Sequence, residues 1–129
     1  MKLLALDGNS IINRAYYGVR PLTTKDGFFT NAIYGFLTMF HKIYFDTRPD
    51  CVAVAFDRKA PTFRHLKYAD YKGKRKGMPP ELAMQLQPLK DLLEAMGIPL
   101  LSADGWEADD ILGTLAEACR RNPEDTCVI

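Results

Sequence analysis

The stretch Trp106-Glu107-Ala108-Asp109-Asp110-Ile111-Leu112 places three carboxylates within four residues, directly before an apolar helical pattern. If a helix begins near Glu107, then Glu107 and Asp110 share one helical face and Asp109 lies at its edge. Acidic residues are common in a first helical turn, because they complement the helix dipole. Three of them repel one another unless a cation lies among them, so this stretch predicts either an ordinary helix start or part of a cation site.

Short apolar runs elsewhere in the chain predict the strands of a sheet. The predicted strands cover residues 2–6, 51–56, 98–101 and 126–129. Apolar residues at helical spacing lie between them and predict helices over residues 9–17, 31–45, 80–96 and 107–121. Strands that alternate with helices favour an α/β fold, a mainly parallel sheet with helices on both faces.

Four residues are expected to set the ends and the course of these helices. Asn9 or Ser10 is the predicted cap of the first helix. Pro88 lies inside the third helical pattern, where a proline should kink or restart the helix. Gly97 suits the position just past the end of that helix.

Carboxylates follow the predicted strands at the point where each strand ends. Asp7 comes directly after the first strand, Asp57 directly after the second, and Glu107 and Asp109 follow the third through a short loop. Ligands of open parallel sheets bind outside the carboxyl ends of the strands, so these acids are expected to meet. An all-oxygen set of ligands favours Mg²⁺, with Mn²⁺ as a second possibility. A single strand-end Asp is more often a turn residue, and it is the convergence of three segments that predicts a metal site.

The net charge of +1 is unevenly distributed along the chain. Residues 58–76 contain eight Lys or Arg residues and one acid, a local charge of +7, with Tyr68 and Tyr71 among them. Aromatic residues among cations are typical of segments that stack bases and hold phosphates. Segment 58–79 is therefore interpreted as a mostly exposed basic insertion that binds a polyanion. Arg14, one turn into the first helix, could face the same crevice or simply be a surface residue.

The remaining composition predicts a soluble cytoplasmic protein without a membrane segment or signal peptide. The three cysteines match no metal-binding spacing and are expected to be reduced thiols. The chain stops inside a predicted strand, so we expect a fragment whose exposed sheet edge could mediate association.

Taken together, the motifs resemble the 5′ nuclease domain at the N-terminus of bacterial DNA polymerase I, a relative of phage 5′ exonucleases and flap endonucleases. The motifs that carry the resemblance are, in chain order, Leu6-Asp7-Gly8-Asn9 with Arg14, Ala32-Ile33-Tyr34-Gly35-Phe36, Phe56-Asp57 followed by Ala60-Pro61-Thr62-Phe63-Arg64, Tyr71-Lys72, and Gly105-Trp106-Glu107-Ala108-Asp109-Asp110. The resemblance implies a PIN-like or resolvase-like sheet with a basic arch at 58–79.

The resemblance also implies roles for individual residues. The metal-binding carboxylates would be Asp7, Asp57, Glu107, Asp109 and Asp110. The residues that handle DNA would be Arg14, Arg64, Tyr71, Lys72 and Arg75, with Arg64 and Lys72 also taking part in catalysis. The implied reaction is hydrolysis of phosphodiesters in 5′ flaps, nicked duplex and RNA primers during replication and repair.

Part of the sequence pattern that is typical of this family has no counterpart in residues 1–129. A further set of carboxylates, a helix-three-turn-helix motif and the polymerase domains would lie beyond it, so we expect weak activity or none from this fragment. Two alternatives remain open from the residues alone: a non-catalytic nucleic-acid-binding module, and a PIN-type metal-dependent ribonuclease.

Overall fold

The computed structural model describes residues 1–58 and 78–128. The arch predicted at 58–79 falls almost entirely outside this range, as do Arg64, Tyr71, Lys72 and Arg75. Within the described residues no helix is long and apolar enough to cross a membrane.

Four parallel strands form the sheet, in the spatial order β3-β2-β1-β4. The strands are β1 (Lys2–Asp7), β2 (Cys51–Ala55), β3 (Leu100–Leu101) and β4 (Thr126–Val128). The helices are α1 (Gly8–Gly18), α2 (Asn31–Thr47), α3 (Pro80–Ala95) and α4 (Ala108–Arg120). This confirms the predicted parallel α/β architecture, although β3 is two residues shorter at its start than the apolar run suggested.

The apolar side chains of the sheet alternate between two cores. Leu4, Leu6 and Val54 point to one face, where they pack against α1, α2 and α3. Leu3, Ala5 and the neighbouring alanines of β2 point to the other face, where α4 covers them through Ala108, Leu112 and Cys119. Because side chains alternate along a strand, each strand needs apolar residues at every position, which explains its continuous run.

The observed helix ends confirm some of the predictions made from the sequence and contradict others. Asp7, rather than Asn9 or Ser10, caps α1, because its side chain accepts a hydrogen bond from the Ser10 N–H at 3.1 Å. Pro88 lies inside α3, which continues through it, so the predicted restart is wrong. Gly97 follows the end of α3 with a φ of 79°, as predicted.

A buried polar network joins the three helices of the larger core. The Gln85 side-chain oxygen accepts hydrogen bonds from the Ala32 and Ile33 N–H groups at 2.8 and 3.1 Å, at the start of α2. Its amide nitrogen donates to Asn31 Oδ1 at 2.9 Å. Asn31 in turn donates to the Tyr16 and Val19 carbonyls at the end of α1. Gln85 thus supplies acceptors that the first turn of α2 lacks in its own sequence.

Candidate active site

The carboxyl ends of β1 and β2 and the start of α4 bring acidic side chains together, and we call this region the acidic edge. It comprises Asp7, Asp57, Glu107 and Asp109. Asp7 is the last residue of β1, Asp57 lies two residues past β2, and Glu107 is the N-cap of α4. Acids from separate segments lie near one another at this edge, because Asp109 is close enough to Asp7, Asp57 and Glu107 for them to affect its pKa. Their role as metal ligands remains a prediction.

The pKa of Asp109 indicates that the acids of this edge lie close to one another. Burial raises the pKa of the Asp109 carboxyl, and the neighbouring charge of Asp7, a hydrogen bond with Asp7 and the charges of Glu107 and Asp57 raise it further. A carboxyl group whose pKa rises because other carboxylates surround it is stabilised in its neutral form. The acidic edge therefore disfavours full ionisation.

Neutral donors orient the carboxylates of Asp7 and Asp57. Both oxygens of Asp7 accept from Ser10, one from its N–H and the other from its hydroxyl at 2.9 Å. Asp57 Oδ1 accepts from the Ala108 N–H at 2.6 Å, which ties the end of β2 to the first turn of α4. None of the ion pairs within residues 1–58 and 78–128 involves Asp7, Asp57 or Asp109.

Asp109 and Asp110 have different roles from those that helical spacing suggested. Asp110 Oδ2 accepts from the Glu107 N–H at 2.9 Å and forms part of a capping box. It is Asp109 that meets Asp7, and Asp110 is absent from the groups that shift its pKa. Glu107 is the N-cap residue of α4 and has an extended backbone, φ −86° and ψ 163°, and the capping box brings its side chain and that of Asp110 to each other's backbone N–H groups. The metal-binding role of Asp110 remains a prediction.

Two basic residues of the predicted DNA-binding surface, Arg14 and Arg58, lie in the described part of the chain, and their surroundings differ. Arg14 is exposed on α1, four residues after Ser10 and therefore on the same helical side as that residue. Arg58, the first residue of the basic segment, instead donates to Ser102 at 2.9 Å and pairs with Asp104 at 3.2 Å. Arg58 thus anchors the loop before α4.

Among the surface grooves formed by residues 1–58 and 78–128, two are well defined. One, of about 790 Å³, borders the acidic edge along the outer side of α4 and is lined by residues that include Trp106, Asp109, Asp110 and Arg121. The other, of about 550 Å³, lies beside Phe40, Tyr44 and Cys51 and contains none of the four acids of the acidic edge. The acids, and not the second groove, define the candidate active site.

Sequence reasoning missed the residues that hold this edge together. Ser10 and Asn9 were considered only as helix caps, and the Ala108 N–H is a backbone group with no sequence signal. The signal available for Asn9 and Ser10 was their position directly after a strand-end Asp, where a polar side chain can reach a neighbouring strand.

Fold and site define an α/β domain with an acidic site at the carboxyl edge of a parallel sheet. A family model described as the 5′-3′ exonuclease, N-terminal resolvase-like domain, matches residues 2–129. The chain belongs to this family of nucleases.

Relatives and solved structures agree with this assignment. The chain is 45% identical over 115 residues to a 5′-3′ exonuclease of Aquifex aeolicus, covering 89% of the chain and 40% of the relative. It is 45% identical over 120 residues to a DNA polymerase I of Geobacillus stearothermophilus, covering 93% of the chain and 14% of the relative. The chain therefore spans well under half the length of these relatives.

The structure of the T5 5′-exonuclease with bound zinc superposes with a TM-score of 0.64 at 20% identity, covering 94% of the chain and 45% of that protein. A T5 flap endonuclease in complex with DNA and metal ions superposes with a TM-score of 0.62 at 19% identity, covering 94% of the chain and 45% of that protein. At these identities the superpositions establish the resolvase-like fold.

Proposed function

We propose that this chain forms the metal-facing part of a divalent-metal-dependent 5′-3′ exonuclease and flap endonuclease. Its substrates would be DNA with single-stranded 5′ flaps or nicks, and RNA primers. The observation that carries the proposal is the proximity of Asp7, Asp57, Glu107 and Asp109 at one edge, where desolvation first and then the neighbouring acids raise the pKa of Asp109. Membership of a nuclease family supports it, as do the metal ions and DNA bound by the T5 relatives.

The chemistry of the acidic edge fits a hard divalent cation. Its donors are carboxylate oxygens, which suit Mg²⁺ and Mn²⁺. In the described part of the chain, no group of three or more such side chains is already arranged to hold a metal ion. Asp7 instead accepts hydrogen bonds from Ser10, and Asp57 accepts one from the Ala108 N–H. Mg²⁺ usually keeps several water molecules and uses one or two carboxylates directly, so it does not require a preformed protein cage.

In this proposal each residue of the acidic edge has a defined task. Asp7, Asp57, Glu107 and Asp109 would hold Mg²⁺, and the Ser10 hydroxyl and the Ala108 N–H would orient the first two. A bound Mg²⁺ stabilises charge that develops on a phosphoryl oxygen during hydrolysis. Asp7 is hydrogen-bonded to the first turn of α1 and Asp57 to the first turn of α4, so the positions of both carboxylates are fixed before a metal binds.

The basic segment would supply the substrate affinity. Its +7 charge and its tyrosines suit a single-stranded polyanion. We propose that Arg64, Tyr71, Lys72 and Arg75, together with Arg14 on α1, hold the DNA near the acidic edge. We also propose a cytoplasmic location, since the three free thiols suit a reducing compartment.

A cleavage assay on a 5′-flap DNA tests the proposal. In its full-length form the protein is expected to release the flap in Mg²⁺ or Mn²⁺ and not in EDTA, whereas residues 1–129 alone should cleave weakly or not at all. Either ion should raise the melting temperature of residues 1–129. Asp46→Asn, which removes an exposed carboxylate of α2, serves as the control and should behave as wild type. DNA binding without cleavage under any metal would support the non-catalytic module instead, and a preference for hairpin RNA would support a ribonuclease.

A further inference from the structure

The start of α1 and the end of β2 are joined through two successive residue pairs. The Gly8 backbone lies directly against the Phe56 ring, since a Cβ on Gly8 would come 2.5 Å from Phe56 Cε1. One residue further on in each segment, Asn9 Oδ1 accepts a hydrogen bond from the Asp57 N–H at 2.8 Å. The first pair fixes the spacing of the two segments and the second fixes their register.

The Asp57 N–H needs an acceptor from outside the sheet. The last pairs of β2 are Ala55 with Asp7 and Ala55 with Leu101, and the Phe56 N–H still donates to the Leu101 carbonyl at 2.9 Å. Asp57 lies one residue beyond this ladder and is only partly exposed. Asn9 provides the missing acceptor from the neighbouring helix, and a half-buried N–H without one would be costly.

The bond to Asn9 is the first link of a chain that crosses the acidic edge. Asn9 holds the backbone of Asp57, and the Asp57 side chain accepts from the Ala108 N–H. Asp7 lies two residues before Asn9, and Glu107 and Asp109 flank Ala108 in sequence. The Asn9 amide and the Asp57 carboxylate together therefore connect the three segments that carry the acids.

We infer that Asn9 is a positioning residue for the acidic edge, which holds Asp57 at the place where its carboxylate can share a cation with Asp7 and Asp109. This inference rests on the proposed function. Asn9 is not needed as the helix cap, because Asp7 caps α1. Its side-chain oxygen is thus available for Asp57.

The test compares Asn9→Ala, Asn9→Asp and Asn13→Ala. Asn9→Ala removes the acceptor, whereas Asn9→Asp keeps an oxygen at the same place. Asn13→Ala is the matched control, because Asn13 is also half-buried on α1 and donates to the Asn9 carbonyl at 2.8 Å without touching Asp57. If Asn9→Ala does not fold, Asn9→Ser replaces it, since its hydroxyl is too short to reach Asp57.

The first measurement is flap cleavage as a function of Mn²⁺ and of DNA concentration. Loss of a group that orients a metal ligand typically costs about 10–100-fold in metal affinity or activity. Asn9→Ala should raise the half-saturating Mn²⁺ concentration by about that factor, with a much smaller change in the KM for DNA. Asn13→Ala should match wild type, and Asn9→Asp, which adds a negative charge beside Asp57, is compared by hydrogen exchange only. Equal effects of Asn9→Ala and Asn13→Ala, or a change confined to the KM for DNA, would overturn the inference.

The second measurement is amide hydrogen exchange at Asp57 in the metal-free protein. The Asp57 N–H should be protected in wild type and in Asn9→Asp, and should exchange faster in Asn9→Ala or Asn9→Ser. This readout is independent of cleavage. If the full-length wild-type protein shows no metal-dependent cleavage, the proposed function fails, whereas unchanged Asp57 protection in Asn9→Ala refutes the positioning role itself.

Discussion

Acidic side chains have different surroundings at the two ends of the sheet. At the amino ends of the strands, Asp50 accepts from the Lys2 N–H at 2.7 Å and Asp125 lies 3.5 Å from the α-ammonium group of Met1. At the acidic edge, Asp109 has Asp7 as a hydrogen-bond partner, and Asp57 and Glu107 lie close enough to raise its pKa. Acids at both ends therefore have local donors, but at the acidic edge Asp7 and Asp57 also lie close to another acid, Asp109.

This difference indicates which acids serve the fold and which serve a ligand. An acid that has a donor or an opposite charge, and no other acid close by, is stabilised as an anion without outside help. Acids that surround one another are stabilised by protonation or by a cation. The predictions below test this contrast, beginning with the largest expected effect.

Removing one carboxylate from each end of the sheet should separate the two classes most clearly. Asp7→Asn should reduce metal-dependent cleavage by about 1,000-fold, because stabilisation of the developing charge by a metal amounts to several kcal/mol. Asp50→Asn keeps an oxygen for the Lys2 N–H and should cleave within about twofold of wild type, a change well under 1 kcal/mol. Rates measured at saturating Mg²⁺ check both. Equal losses in the two variants would erase the distinction between the ends.

A second prediction concerns the close packing behind the acidic edge. A Cβ on Gly8 would overlap the Phe56 ring, so Gly8→Ala should destabilise the protein by about 1–3 kcal/mol. Gly18, at the other end of α1, has no atom within 4 Å of such a Cβ, and Gly18→Ala should be neutral or slightly stabilising. Urea denaturation of both variants measures the difference. Similar stabilities would show that the Phe56 ring moves aside without cost.

A third prediction concerns the buried side chain of Gln85, which forms its hydrogen bonds with other groups of the protein. Gln85→Leu would leave the Ala32 and Ile33 N–H groups without their acceptor, at a cost of about 1–3 kcal/mol. Gln87→Leu on the same helix removes only an exposed bond to Asp91 and should cost less than about 0.5 kcal/mol. Thermal unfolding distinguishes them. A small effect of Gln85→Leu would mean that water replaces the lost acceptor.

The fold and the proximity of the acids could be predicted from the sequence. Both follow from the continuous apolar runs that form the strands and from the acidic residues that come after those runs. Asp7 and Asp57 were predictable from their place after continuous apolar strands. The capping role of Asp110 was not, since it depends on the extended backbone of Glu107 at the cap. Gln85 occupies the same apolar stripe as Leu82 and Leu89, yet its role depends on the N–H groups of another helix, which no local pattern shows.

The smallest predicted effect is a change of stability with pH that originates at Asp109. Its pKa is raised in the folded state, so folding favours its neutral form. The stabilisation is therefore complete below the pKa of the unfolded chain and is lost as the pH rises through the folded pKa. Asp109→Asn, which stays neutral, should melt at a higher temperature than wild type at pH 7 in EDTA.

The gain should be below about 1 kcal/mol, because Asp109 is exposed and solvent screens its charge. Saturating Mg²⁺ should reverse the order of the two melting temperatures, because only the wild type keeps the full set of ligands. Asp50→Asn should show neither the gain in EDTA nor the reversal, since Asp50 already has a donor. If Asp109→Asn melts below wild type at pH 7 without metal, Asp109 is held by its surroundings as an anion, and the contrast between the two ends of the sheet is wrong.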